Sequence, residues 1–526
     1  NLGFATDFLA GAPNILAVPE GKRWYGMVQE GNVMEAFGEF LAAFSTKSLP
    51  PELNYAPGNP GYTNAWNEII DAAEEANDPG KFTAFIGYEW TSIANGDNLH
   101  RNIIYRGDGD EARQVLPYTT EPPLGSTNPR DLWAWMDAYI EKTGGQIFAI
   151  AHNGNVSNGL MFPMVEPGTR NRLDLEYAET RRKYEPLYEV TQIKGDGEAH
   201  PLLSPNDELA DYETWDFGNL IGLPKNDEML EFEYARSALK NGLKVEDRLG
   251  VNPYAFGMVG STDSHVGIPA VEEDSFFGKT PTAEPAAHRW EHTFIGNTET
   301  GIEVLNWETI ASGYAAVWAM ENTRESLYDA MARRETYATT GSRMTVRFFG
   351  GWDFEAADTL DRMVAKVGYT KGVPMGGDLH TAPEDKNPTF LVAALKDPIG
   401  ANLDRIQIVK GWLDGDDTQE KVYDVVWSDM QSRQPDANGK VPPVGSTVDV
   451  ANATFANTIG DSELVAVWED PDFDPDQRAF YYVRVIEIPI PRWTAYDAKY
   501  YGVEMTDDVP MITTERAYTS PIWYNP

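Results

Sequence analysis

Residues 256–265, FGMVGSTDSH, carry the clearest structural signal in the chain. The apolar first part predicts a β-strand over residues 256–259, and the glycine and small polar residues after it predict a turn. This turn presents Asp263 and His265, a carboxylate and an imidazole that can bind one metal ion together. Functional loops of α/β barrels lie at the carboxyl ends of the strands, so we expect chemistry at this position.

Two other predicted strands are bordered by residues of the same kind. His152 directly follows the apolar residues 146–151. His100 comes shortly after Glu89 and precedes the apolar residues 102–105. The chain has only seven histidines, so their occurrence at strand ends is informative. Together with the Asp-x-His turn, these residues are what a hydrolytic metal centre at the mouth of an α/β barrel requires.

Strand and helix patterns alternate from about residue 81 to about residue 340, which favours an α/β layer or barrel. The predicted strands of this part are residues 81–88, 102–105, 146–151, 187–193 and 256–259. After about residue 343 helical periodicity fades, and short β-type runs recur between turns rich in Gly, Pro, Asn and Asp. We therefore predict an α/β domain over residues 1–343 and a strand-rich, sandwich-like region over residues 344–526, packed on the first.

The composition excludes several classes of partner. The chain has 82 acidic and 42 basic residues, a formal net charge of -40, which repels nucleic acid and anionic membranes. No run approaches the about 18 apolar residues of a membrane helix, so we expect no membrane span. A small anionic substrate would have to be attracted by local cations or metal ions. Self-association into a homo-oligomer is compatible with this composition.

Cysteine is absent from the sequence. Disulfides and thiolate metal sites are therefore excluded, and any metal must be held by histidine, carboxylate or water. A chain of this length without cysteine is compatible with an exported bacterial protein, so we expect a periplasmic or secreted location.

The order of these motifs resembles the PHP superfamily, named after polymerases and histidinol phosphatases. The similar segments are GYE at residues 87–89, LHRN at 99–102, AH at 151–152 and STDSH at 261–265. More closely, the chain resembles the large bacterial branch called domain-of-unknown-function family 3604. This closer similarity includes residues 334–341 and 515–524, and it covers essentially the whole chain.

The superfamily resemblance implies a distorted (β/α)7 barrel with two or three divalent metal ions, Zn, Mn or Fe, at the carboxyl ends of its strands. The implied metal ligands are Glu89, His100, His152, Asp263 and His265. Known members of the superfamily are mostly phosphoesterases. The leading expectation is therefore a phosphomonoesterase or phosphodiesterase that cleaves a small anionic ester with a metal-activated hydroxide.

Three further residues are candidates for catalytic roles in such a site. Arg101 adjoins His100 and would contact the oxygens of the substrate, unless it forms a plain surface salt bridge. Lys194 follows a predicted strand and would pair with the anionic ester, unless it is a solvated loop residue. Asn153 adjoins His152 and would orient this ligand or hold the substrate.

The sequence departs from the superfamily pattern at its start. That pattern begins with a strand bearing His-x-His and continues with an Asp-His turn, and neither motif is present here. Residues 1–3 resemble the residues just after the second motif. We therefore expect either that the first strands lie upstream of this sequence or that the metal site is deficient.

Other functions remain open at this stage. A sulfate-ester hydrolase would use the same site, because sulfate and phosphate esters share charge and tetrahedral geometry. A non-catalytic surface or binding protein with a degraded metal site would explain the departure at the start. Trp412, Trp427 and Trp468 could stack on sugars in a carbohydrate-binding region, although aromatic residues at strand spacing more often pack in a core.

Overall fold

The computed structural model describes residues 4–32, 35–36, 39–40, 43, 48–169, 171–280, 283–437 and 439–526. Residues 1–3 lie outside the described residues. These are the residues that resemble those just after the Asp-His motif of the superfamily. The described parts of the chain form two compact units. The first unit falls within Asn1–Ser92, Asn102–Ile147 and Glu321–Glu325, and the second within Ile93–Arg101, Phe148–Met320 and Ser326–Pro526.

The structure is a mixed α/β fold. Its described α-helices are α1 (Phe4–Ala10), α2 (Pro13–Ala17), α3 (Pro19–Gln29), α4 (Pro60–Ala76), α5 (Gly109–Ala112), α6 (Pro129–Thr143), α7 (Leu175–Tyr184), α8 (Asp227–Leu230), α9 (Ala235–Leu249), α10 (Arg324–Ala332), α11 (Val364–Lys371) and α12 (Trp493–Tyr501).

The described strands are β1 (Gly87–Trp90), β2 (Ile93–Ala94), β3 (Asp97–Asn98), β4 (Arg101–Tyr105), β5 (Ile147–His152), β6 (Leu187–Gln192), β7 (Gly195–Asp196), β8 (Gly257–Gly260), β9 (Thr293–Asn297), β10 (Ile302–Leu305), β11 (Tyr314–Val317), β12 (Thr336–Thr339), β13 (Thr345–Gly351), β14 (Gly372–Pro374), β15 (Asp378–His380), β16 (Thr389–Leu395), β17 (Leu403–Asp414), β18 (Asp417–Trp427), β19 (Glu463–Glu469), β20 (Ala479–Glu487), β21 (Ile490–Pro491), β22 (Ile512–Thr513), β23 (Arg516–Thr519) and β24 (Ile522–Asn525).

Helix α4 of the first unit is fixed by a polar cap and an aromatic face. It begins at Pro60, and the side chain of Asn59 accepts a hydrogen bond from the Gly61 N–H at 2.8 Å, which satisfies one of the free donors of the first turn. Trp66 is fully buried, and its ring lies 5.5 Å from that of Tyr105 on β4. The buried face of the helix is thereby packed against this strand.

The strand predicted over residues 81–88 is mostly absent, because β1 begins only near the end of that range. Phe82 is 59% exposed, so its apolar side chain does not join a core. The N–H of Ala84 donates to Asn77 Oδ1 at 3.2 Å, and the Ala84 carbonyl accepts from Arg324. Side chains therefore satisfy the backbone of Ala84, which a neighbouring strand would otherwise pair, and the prediction was wrong over residues 81–86.

Parallel strands build the edge of the sheet on which the predicted site residues lie. In the second unit β5 pairs with β6 in parallel, with His152 opposite Glu189. β6 also pairs in parallel with β8, with Thr191 opposite Gly260. Every residue of β6 and β8 is buried, as expected for parallel strands covered on both faces. Because these strands are parallel, the residues at their carboxyl ends lie at the same edge of the sheet.

The described strands do not close into a barrel. β8 hydrogen-bonds to β6, and no pairing among the described residues joins this strand to the opposite edge of the sheet. The fold is therefore α/β with open sheets, and the barrel implied by the superfamily resemblance is not confirmed. The strands predicted over residues 146–151, 187–193 and 256–259 are confirmed as β5, β6 and β8, with small shifts at their ends.

Two further sheets form a sandwich in the second unit. One has the order β11-β12-β23-β20-β17-β18, with β15 and β24 joined to it, and the other has the order β14-β13-β16-β19. Phe348 and Phe390 of the smaller sheet and Ile408 of the larger one belong to one buried apolar cluster, which holds the sheets together. Trp412 and Trp468 pack against this cluster, so both contribute to the core of the sandwich.

The domain boundary predicted near residue 343 lies between β12 and β13. β12 pairs antiparallel with β23, so strands from both sides of residue 343 share one sheet. The two compact units follow other limits, and the predicted boundary stays a prediction. Among the described residues, no helix combines the length and the hydropathy that crossing a bilayer requires.

A buried ion-pair network connects helix α9 with strand β20 inside the second unit. Arg236 of α9 lies 2.6 Å from Glu198 and 2.8 Å from Asp207. Arg484 of β20 lies 3.2 Å and 2.7 Å from the same two carboxylates. All four side chains are at most 3% exposed. Burial opposes the charge of Asp207, but the two guanidinium groups outweigh it and hold the pKa of this carboxyl well below its usual range.

A cavity of about 130 Å³ in the sandwich part is lined by several carboxylates, among them Glu487 of β20. Glu487 accepts a hydrogen bond from Ser342 Oγ at 2.6 Å. Burial raises the pKa of Glu487 from its ordinary value of 4.5 to about 8. The folded protein therefore binds this proton more tightly than the unfolded chain does. The resulting stabilisation is fully present below the ordinary pKa and is lost as the pH rises through about 8.

We expect the substitution Glu487→Gln to weaken the decline of the free energy of unfolding between about pH 5 and about pH 8. The amide cannot ionise, and each tenfold change in proton affinity corresponds to about 1.4 kcal/mol. Urea unfolding at several pH values measures how the free energy of unfolding declines with pH. Glu463→Gln, at an exposed position of β19, is the control and should show the same decline as the parent. Identical pH profiles for Glu487→Gln and the parent would show that burial does not shift this carboxyl.

Candidate metal centre

The candidate centre begins where β8 ends. A Cβ atom at Gly260 would lie 2.7 Å from the carbonyl oxygen of Thr339 and 2.9 Å from that of Tyr314. Glycine is therefore required for the strand to leave the sheet at this point. Asp263 follows with a φ of 48°, in the left-handed region that residues with a side chain seldom adopt. Such backbone strain recurs at functional sites.

Asp263 lies at the centre of a cluster of charged and polar side chains. Its Oδ2 accepts a hydrogen bond from Gln192 Nε2 at 2.9 Å and forms ion pairs with Lys194 and, at 2.8 Å, with Lys279. Its Oδ1 lies 3.2 Å from His265 Nε2. Burial opposes the charged form, but the two ammonium groups and the imidazole hold the pKa of Asp263 well below its usual range.

Lys279 is a site residue that sequence reasoning missed. Its ammonium group donates to the backbone oxygen of Asp263 and lies 3.2 Å from His265 Nε2. The N–H of His265 donates to the Lys279 carbonyl at 2.9 Å, so the ends of this loop are tied together. Burial and the neighbouring Lys194 ammonium lower the pKa of Lys279 to about 7. The residue lies in a loop without periodic pattern, and nothing near it in the sequence marks it.

His100 and His152 lie side by side in the second unit. Their rings meet edge to face with centroids 5.4 Å apart, and a nitrogen of each lies within 4.8 Å of the other. The N–H of His152 donates to the His100 carbonyl at 3.4 Å, and Asn98 Nδ2 donates to the His152 carbonyl at 2.7 Å. The charge of His152 also acts on Asp263, so the structure brings these two predicted strand-end residues together.

Glu189 is a second site residue that sequence reasoning missed. It lies on β6 opposite His152, is 3% exposed, and interacts electrostatically with His152, Asp263 and Lys194. Burial raises the pKa of its carboxyl to about 7. Its Oε1 is buried and has no hydrogen-bond partner among the described residues. The sequence does contain a signal for Glu189, namely an acidic residue within a predicted buried strand. Burial of a carboxylate costs free energy unless the group binds a partner.

Asn153 connects the end of β5 to the same cluster. Its backbone has a φ of 53°, again in the left-handed region, which turns the chain directly after His152. Gln192 Nε2 donates both to Asn153 Oδ1 and to an oxygen of Asp263. The predicted role of Asn153, to orient His152 or to hold the substrate, stays a prediction.

The structure supports the predicted roles of Arg101 and Glu89 less directly. Arg101 is 1% exposed, its Nε lies 3.0 Å from Glu185 Oε1, and its Nη1 donates to the Leu99 carbonyl at 2.6 Å. The salt bridge considered for Arg101 therefore exists, but it is buried and not on the surface. A contact between Arg101 and a substrate stays a prediction. Glu89 lies half-buried on β1 in the first unit, and its role as a metal ligand also stays a prediction.

A sequence profile matches the chain over residues 1–526, and the description of its family is "Protein of unknown function (DUF3604)". The chain belongs to this family. No curated protein and no solved structure matches the chain. The closer of the two resemblances seen in the sequence motifs is thereby confirmed. None of these comparisons links the chain to the PHP superfamily.

The donor set of the second unit fits a divalent ion. Imidazole and carboxylate groups of this kind bind Zn, Mn or Fe, and the buried Oε1 of Glu189 offers an acceptor without a described donor. Nitrogen atoms of His100 and His152 lie within 4.8 Å of each other, as do ligand atoms of Asp263 and His265. Glu189 interacts electrostatically with His152 and Asp263. One feature opposes an ion, because Lys194 and Lys279 already neutralise Asp263.

Proposed function

We propose that this cluster is the active centre of a metal-dependent hydrolase of phosphoric esters, either monoesters or diesters. The observation that carries the proposal is the pairing of Asp263 with two lysine ammonium groups after β8, where Glu189 and His152 of the neighbouring parallel strands interact electrostatically with it. Carboxylates and imidazoles are ligands of divalent ions, and ammonium groups bind the oxygens of anionic esters. A bound ion would supply Lewis-acid charge and lower the pKa of a water molecule.

Each residue of the cluster has a part in this proposal. His152, Glu189 and Asp263 hold the metal. Lys194 and Lys279 bind the non-bridging oxygens of the ester and offset the negative charge that grows during cleavage. The hydrogen bond from Gln192 Nε2 fixes the orientation of the Asp263 carboxylate.

The proposal includes the wider kinship with the PHP superfamily and an extracytoplasmic location. The parallel strands β5, β6 and β8, which carry or precede His152, Glu189 and Asp263, support the kinship. The absence of cysteine is compatible with export. The net charge of -40 supports a small ester as substrate over nucleic acid, because only the local lysines and the metal would attract an anion.

A second candidate function is anion binding without catalysis. The two lysines on Asp263 favour it, because they supply the positive charge that a metal would otherwise supply. In that case the site would bind phosphate or sulfate in the absence of any divalent ion, and no ester would be cleaved. A sulfate-ester hydrolase at the same site is the nearest catalytic alternative.

Removal of metal separates these candidates. We expect the protein to hydrolyse an aryl phosphate, to lose at least about a hundredfold of this activity after dialysis against a chelator, and to regain it with Mn²⁺ or Zn²⁺. Chelator already saturated with Zn²⁺ is the control, because it cannot take up a further ion. Full activity after exhaustive dialysis would eliminate the metal mechanism, and faster cleavage of the matching aryl sulfate would assign the protein to sulfate esters.

A further inference from the structure

The carboxylate of Asp263 has two lysine ammonium groups as partners. Lys194 and Lys279 both form ion pairs with its Oδ2, and Gln192 donates to the same atom. The lysine side chains are only 5% and 8% exposed, so solvent ions screen their charges weakly. One carboxylate oxygen thus serves three donors. A further ligand that carries positive charge must therefore compete with two ammonium groups.

A divalent ion at Asp263 would face strong repulsion from these two groups. Opposing charges inside a protein interact more strongly than in water, so the lysines lower the affinity for the ion alone. A tetrahedral anion bound next to the ion changes this balance, because its oxygens accept the donors that Asp263 gives up. Lys194 and Lys279 carry their charge on flexible stems, which allows their ammonium groups to turn from one acceptor to the other.

We propose that Lys194 and Lys279 couple the binding of the metal to the binding of the anion. Without ligands the pair holds Asp263 and weakens the binding of a divalent ion alone. With both ligands bound, the ion takes Asp263 and the lysines bind the anion. The inference rests on the proposed metal-dependent function and adds a means of regulation, since the complete site forms only with substrate. Coupling is reciprocal, so each ligand raises the affinity for the other by the same factor.

Calorimetric titration with Mn²⁺, with and without inorganic phosphate, tests the coupling. In the parent protein phosphate should tighten Mn²⁺ binding by about tenfold or more. Lys279→Met should tighten Mn²⁺ binding in the absence of phosphate and bring the coupling factor close to one. Lys194→Met should behave in the same way and replaces the first variant if that one does not fold. Lys421→Met, on β18 where Lys421 pairs with the exposed Asp472, is the matched control and should keep the parental coupling.

The outcomes distinguish this inference from the proposed function. The coupling would be overturned if phosphate left the Mn²⁺ affinity unchanged, or if both lysine variants lowered this affinity. Either result would leave the proposal of metal-dependent hydrolysis untouched. Absence of Mn²⁺ binding by the parent, with and without phosphate, would refute the proposed function and the coupling together. Tighter Mn²⁺ binding by either lysine variant, with reduced coupling, would support the inference.

Discussion

The substitution Asp263→Asn should lower kcat/KM for an aryl phosphate by at least about a hundredfold. Residues that only orient a metal ligand cost about 10- to 100-fold when replaced, so loss of a direct carboxylate ligand should reach the upper end or exceed it. Asparagine keeps the shape of the side chain but carries no charge. The expected loss therefore reports the charge of Asp263 and not the space that it fills.

The same substitution should also destabilise the fold by about 3 kcal/mol, since it leaves two buried ammonium groups without their anion. Activity is therefore measured below the unfolding temperature of the variant, as determined by thermal unfolding. Asp472→Asn removes a carboxylate that pairs with the exposed Lys421, and it should change neither property markedly. A folded Asp263→Asn protein with parental activity would show that the active centre lies elsewhere.

The second large effect is expected for Arg484→Met in the buried network of the second unit. Arg484 is fully buried and binds Glu198, Asp207 and, at 2.9 Å, Gln407. Methionine fills similar space but leaves the two carboxylates with Arg236 as their remaining guanidinium partner in the network. Removal of one partner from a buried ion pair costs about 3–5 kcal/mol, because the remaining charge stays in a poorly solvated place.

Urea unfolding of Arg484→Met measures this cost directly. Arg343→Met is the control, because the Arg343 side chain is exposed and its guanidinium lies 3.8 Å from the carboxylate of Glu272. This variant should lose no more than about 1 kcal/mol. A loss for Arg484→Met as small as for the control would mean that the network contributes specificity and not stability. Catalysis should persist in folded Arg484→Met protein, because Arg484 does not belong to the candidate centre.

Sequence reasoning located the ends of the parallel strands, because an apolar run followed by a small-residue turn has few other structural solutions. It therefore named His152 and Asp263, which the structure brings together with Lys194 and Asn153. It missed Glu189, which lies inside a strand and not at its end. It also missed Lys279, whose approach to Asp263 depends on the path of a long loop and has no local pattern.

The errors in the predicted fold have a similar origin. Residues 81–86 have strand-like composition, but the side chains of Asn77 and Arg324 bind the backbone of Ala84. The contact with Arg324, far along the chain, cannot be read from a local pattern. Barrel closure likewise depends on pairing between strands that are distant in the chain. The strand-rich second half was easier to predict, because short β-type runs between turns rich in Gly, Pro, Asn and Asp are a local signal.

The most direct test of the account is the metal content of the purified protein after incubation with inorganic phosphate and Zn²⁺, Mn²⁺ or Fe²⁺, and removal of the excess metal in buffer that retains the phosphate. Elemental analysis of the parent should find at least about one ion per chain, and Asp263→Asn should retain fewer. The control Asp472→Asn should retain the same number of ions per chain as the parent. A parent protein that retains no divalent ion under any of these conditions would contradict the central claim, and the lysines on Asp263 would then belong to an anion-binding site without a metal.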